Sequence, residues 1–164
     1  MLKQVKALAA LDEDTQDLIL KAIPYHNRLS IPEDEPHIYT CFSKLLRDAD
    51  KLDIYCLVTH YYNSNEAQRS AAVELDLPDT PEVSEEVMTS LTEGKMISLH
   101  QLKSLNDFKL LQMAWVYDVN YQPTFRMIYE RDFLKKIRDT MPATEGINRI
   151  YSRLISYLKE KLGI

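Results

Sequence analysis

The chain has 164 residues, enough for one domain with a sizeable core. Its net charge of -5 and pI near 5.4 exclude a protein that grips a nucleic-acid backbone, which needs a basic face. No apolar run approaches the about 20 residues of a membrane span, and three glycines are too few for a turn-rich sandwich or barrel.

The opening "MLKQVKALAALDEDTQ" lacks the long apolar core and small-residue cleavage site of a signal peptide, so a cytoplasmic location is expected. Over residues 2–11, Leu2, Val5, Leu8 and Ala9 offer one apolar helical face. Residues 13–26 place Leu18, Ile19, Ala22 and Ile23 on a helical stripe, with Pro24 set to kink or loosen the last turn. After the loop "NRLSIPEDEP", a long helix is expected from Pro36 to Asn63, its apolar positions including Phe42, Leu45, Leu46, Leu52, Tyr55 and Val58. The run Asn63–Asn65 is a stop signal, and "AAVELDLPDTPEVS" reads as a surface connection.

Thr80, followed by Pro81, Glu82 and Glu85, reads as the N-cap of a short helix that Gly94 ends. Ser104 and Asp107 form a capping-box start for "LNDFKLLQMAWVYDVN". Pro123 opens the next helix, "TFRMIYERDFLKKIRDTM", which Pro142 closes. A last helix from Thr144 carries Ile147, Ile150, Tyr151, Leu154, Leu158 and Leu162 at helical spacing. No segment alternates like a strand, so the expected fold class is all-α. Cys41 and Cys56 lie in apolar runs with no zinc-motif spacing, and read as buried free thiols.

The chemistry concentrates in "KLLRDADKLDIY", residues 44–55, where Arg47, Asp48, Asp50, Lys51 and Asp53 share one helix. At 100° per residue, Asp50 and Asp53 fall about 60° apart, while Asp48 lies about 160° from Asp50. Only one of Asp48 and Asp50 therefore faces a given site. Arg47 and Lys51, four apart, share a face and suit either phosphate contact or flanking of the carboxylates. A solvated helix face laced by local ion pairs is the competing reading. Of His26, His37, His60 and His100, none has a His-x-x-x-His partner; His26 ends a helix and precedes the polar Asn27 and Arg28.

"LILKAIPYHNRLSIPE" followed by "FSKLLRDADKLDIY" resembles the C-terminal half of a bacterial branch of the HD-domain metal-dependent phosphohydrolases. "FKLLQMAWVYDVNY" and "IYERDFLKKIRDTMP", with Tyr117, Asp118 and Asn120, resemble that branch too. The resemblance implies a helical bundle of the HD-domain type, with residues 1–63 a remnant of the core and 64–164 a C-terminal helical extension. It implies Asp50 as the late metal-binding aspartate, Asp48 the second choice, and His26 as a further metal ligand. Arg47, Lys51 and Asn27 become phosphate or pocket candidates. The implied cofactor is a divalent ion (Mn, Mg, Ni, Co, Fe or Zn), which polarises a phosphate and activates water; the implied substrate is a phosphorylated small molecule, such as a nucleotide.

The His-Asp dipeptide that names the family does not occur: His26, His37, His60 and His100 are followed by Asn27, Ile38, Tyr61 and Gln101. The match begins almost at Met1, so an N-terminally truncated member with an incomplete metal site is expected. The alternative is a non-catalytic helical module for interaction or oligomerisation, covering its apolar faces with a second copy or the missing segment.

Overall fold

The computed structural model describes residues 8–28, 30–32, 34–64, 70 and 72–164. The helix expected over residues 2–11 lies largely outside them. Among the described residues the fold is all-α, with seven α-helices, short 3-10 turns and no strand. No described helix is long and apolar enough to cross a membrane. The chain divides into two compact units, residues 1–50 and 51–164, and the division falls within the long helix α2.

In the first unit, α1 runs Glu13–Ala22. Asp12 caps it, its carboxylate accepting from Thr15 N at 2.9 Å and from the Thr15 hydroxyl at 2.7 Å. At Pro24, which has no N–H to continue an α-helix, the chain tightens into a 3-10 turn, Ile23–Tyr25. Helix α2 then spans His37–Tyr62. Its Tyr39 hydroxyl donates to Asp17 at 3.1 Å and accepts from Lys21 at 3.2 Å, tying α1 to α2.

The second unit is built around α4, Leu105–Ala114, every residue of which is buried. Around it stand α3 (Glu85–Thr92), α5 (Gln122–Glu130), α6 (Phe133–Arg138) and α7 (Glu145–Leu162). Helix α7 packs on α3, α5 and α6, while α3 and α6 also pack on α4. Ile147, Ile150, Leu154 and Leu158 supply the buried stripe of α7. The polar residues of α4 are all engaged: Asn106 donates to Thr80 O, Lys109 to Thr140 O, and Gln112 Oε1 accepts from the Tyr62 hydroxyl.

The Ser104–Asp107 capping box forms as expected, as do the Thr144 cap and the left-handed Gly94. Two expectations are corrected. Thr80 caps no helix: α3 begins at Glu85, after Ser84. Asp107 takes Ser84 N at 2.8 Å and Ser84 Oγ at 2.5 Å, which holds the preceding segment extended against the start of α4. The single helix expected over 124–141 is broken at Asp132, whose φ is 53°. A continuous helix would turn Leu134 and Ile137 away from Phe125 and Ile128 by more than about 100°; the break lets all four reach the core.

Candidate functional site

The charged stretch of α2 is not a solvated face. Arg47, Asp48 and Lys51 are buried, together with Ser43 one turn earlier. Buried charges need partners, and main-chain carbonyls are among those of Arg47. Its Nη1 donates to Tyr25 O at 2.9 Å and also to Arg28 O. These two carbonyls bracket His26 and Asn27, so one guanidinium fixes the His26 turn onto α2. Tyr25 is held again through its hydroxyl, which donates to Glu35 at 2.6 Å; that bond raises the phenol pKa above its ordinary value. Arg28 adds its guanidinium over the Tyr25 ring at 5.3 Å.

His26 Nδ1 lies 2.6 Å from Ile23 O. A carbonyl only accepts, so Nδ1 carries the proton, and in the neutral ring Nε2 keeps its lone pair. That tautomer suits a ligand or a proton acceptor. Asn27 is exposed. Of the two aspartates that compete for an inward position, Asp48 is 1 % exposed, whereas Asp50 is only partly buried and Asp53 is exposed.

Lys51 belongs to the second unit and pairs with Asp118 at 2.6 Å. Asp118 ends a 3-10 turn, Trp115–Asp118, that continues from α4, and its main-chain oxygen accepts from Asn120 at 3.1 Å. The ion pair gives Lys51 a local role, linking α2 to that turn.

Among the described residues no three His, Cys, Asp or Glu side chains gather as a metal-binding group. Asp48 and His26 offer two donors, where protein metal sites ordinarily use three or more.

Two features of α2 are not visible in a reading of acidic residues alone. The Ser43 hydroxyl is buried with no hydrogen-bond partner among the described residues. Cys41, in no disulfide and only half-buried, lies beside His37. The signal for the second is their i,i+4 spacing, which is lost when cysteines and histidines are considered separately.

No protein family, no curated protein and no solved structure matches this chain.

Proposed function

We propose that this chain supplies one wall of an HD-type metal-dependent phosphohydrolase site, and that the remaining metal ligands come from polypeptide carrying the His-Asp dipeptide. The observation that carries the reading is the Arg47 clamp, which binds the carbonyls on either side of His26 and Asn27 from the helix turn that bears Asp48. The resemblance joins the same two segments, and neither local spacing nor helix propensity requires a buried arginine there. Burial favours Asp48 over Asp50 as the ligating carboxylate, with His26 Nε2 as the second donor. In a completed site the ion would polarise a phosphoryl oxygen and acidify a bound water. This chain's part is to orient Asp48 and His26 through the clamp.

Mn2+ titration followed by paramagnetic NMR line broadening tests the assignment. The expected result is selective broadening at His26 and at residues 47–49, lost in Asp48→Asn and kept in Asp50→Asn. Broadening that follows Asp50 instead, or none along α2 at millimolar Mn2+, overturns it.

The second reading, an interaction module, rests on a different observation. Ile38, Phe42 and Leu45 of α2 are 52, 37 and 56 % exposed. They fall within about 60° on one helical face, an apolar stripe of the kind that marks a docking surface.

A further inference from the structure

We propose that His37 and Cys41 form half of a zinc-type site that a second copy of this chain completes. Both stand in the first turns of α2, four residues apart, where helical geometry stacks side chains on one face. Cys41 Sγ lies 3.6 Å from His37 Nε2 and 3.7 Å from Nδ1. In a tetrahedral site, Zn–S near 2.3 Å and Zn–N near 2.0–2.1 Å set the S···N edge at about 3.6 Å. The pair is thus already spaced as two vertices of such a tetrahedron, and a turn of the imidazole ring aims a lone pair at the ion. His37 is exposed and Cys41 half-buried, so an ion reaches both.

Thiolate with imidazole selects Zn2+ and its softer neighbours over Mg2+ and Ca2+. On coordination the Cys41 thiol releases its proton to solvent, and His37 binds as the neutral ring. Two vertices are still missing, and among the described residues no third His, Cys, Asp or Glu side chain joins the pair. A copy related by a two-fold axis through the metal supplies one more sulfur and one more nitrogen, giving the Cys2His2 set of a closed structural site. The surface beside the pair suits that occupant. The Ile38, Phe42 and Leu45 stripe lies on the adjoining face of α2, about 90° round the helix from the pair, so a second copy joined at the metal would bring these exposed side chains to the border of the contact. The site is independent of the phosphohydrolase reading; it rests on the interaction reading only for the second copy.

The experiment uses the full untagged chain under a phosphine reductant, which prevents interchain disulfides. Co2+ titration should give a thiolate-to-metal charge-transfer band and tetrahedral d–d absorption, saturating at one ion per two chains. With Zn2+, sedimentation velocity should show a dimer that EDTA dissociates. Cys41→Ser and His37→Gln should each weaken Co2+ binding by more than about tenfold and abolish the metal-dependent dimer, whereas Cys56→Ser keeps both. Circular dichroism checks that each variant stays helical. No charge-transfer band, or one that survives Cys41→Ser, overturns the site. A tetrahedral spectrum at one ion per monomeric chain overturns the second copy. Mn2+ broadening near Asp48 should be the same in all three variants, so this test and that of the phosphohydrolase wall fail separately.

Discussion

Arg47 Nη1 donates to the main-chain oxygen of Tyr25 at 2.9 Å, and the same nitrogen reaches the carbonyl of Arg28. A charged side chain on a helix thereby fixes a turn whose own main-chain bonds include Arg28 N→Tyr25 O and His26 N→Ile23 O. Ser43, Arg47 and Lys51 follow at i,i+4 spacing and turn inward, while Ile38, Phe42 and Leu45 on the other side stay exposed.

Arg47→Lys is expected to destabilise the first unit by roughly 2–4 kcal/mol. A lysine keeps the charge but loses the planar fork, and carbonyls that accepted from a cation are left short of a donor. Hydrogen exchange locates the effect: amides of Tyr25–Arg28 should exchange faster, while those of α4 keep their protection. Unchanged exchange at Tyr25–Arg28 would show that the turn is held by something else.

The chain alone is expected to hydrolyse a generic phosphoester, such as bis(p-nitrophenyl) phosphate, weakly or not at all with Mn2+, Ni2+ or Co2+. Two donors fall short of the ligand count that fixes a catalytic ion firmly enough to acidify its water. Robust turnover abolished by Asp48→Ala or Asp50→Ala would mean that this chain carries a whole site.

Ser43→Ala should leave stability unchanged or raise it by up to about 2 kcal/mol. The buried hydroxyl has no partner among the described residues, so its removal relieves a desolvation cost, and alanine is the better helix former. A thermal melt decides the sign. A clear loss of stability would reveal a hydrogen bond to that hydroxyl.

What was legible in the sequence was local. Ser104 with Asp107, Thr144 and Gly94 announce helix ends because each acts within a turn of its own position. Ser84 could not be chosen over Thr80 by the same logic, since Asp107, 23 residues away, positions it. Nor could the break at Asp132, which arises because Leu134 and Ile137 seek the same core as Phe125 and Ile128. At the candidate site, helical angles showed that only one of Asp48 and Asp50 faces inward. They could not show which, because the partner that turns α2 is loop main chain without a side-chain signature.

Tyr55 is expected to contribute to the alkaline limit of the second unit. It is wholly buried, donates to Gln112 O at 2.9 Å and stacks on Phe133 at 5.7 Å between centroids. Burial raises its phenol pKa far above the ordinary value. The folded state therefore holds the neutral phenol. That contribution is whole below the unfolded pKa of about 10 and is lost as pH rises above it. Tyr55→Phe should cost about 1 kcal/mol at neutral pH, through the lost hydrogen bond, and make the alkaline decline shallower. Urea midpoints from neutral pH to about pH 11 test both. Parallel curves for the two proteins would show that other groups cause the decline.

Leu45→Glu and Leu154→Ala separate the surface of α2 from the core. Leu154 is 0 % exposed at the heart of α7, and its truncation should cost about 2–5 kcal/mol. Leu45 is more than half exposed, so Leu45→Glu should change folding stability by no more than about 0.5 kcal/mol. Self-association responds in the opposite order. Each large apolar side chain newly buried contributes about 1.5–3 kcal/mol, so covering Ile38, Phe42 and Leu45 on both copies adds to the drive of a contact that the metal joins. A glutamate in each copy sets two carboxylates into that contact. Light scattering across a dilution series with Zn2+ present should therefore show the Leu45→Glu chain as a monomer with wild-type melting, and the Leu154→Ala chain as a self-associating protein of lowered stability. A wild-type chain that stays monomeric at every concentration, with and without Zn2+, would show that a second copy does not cover this stripe.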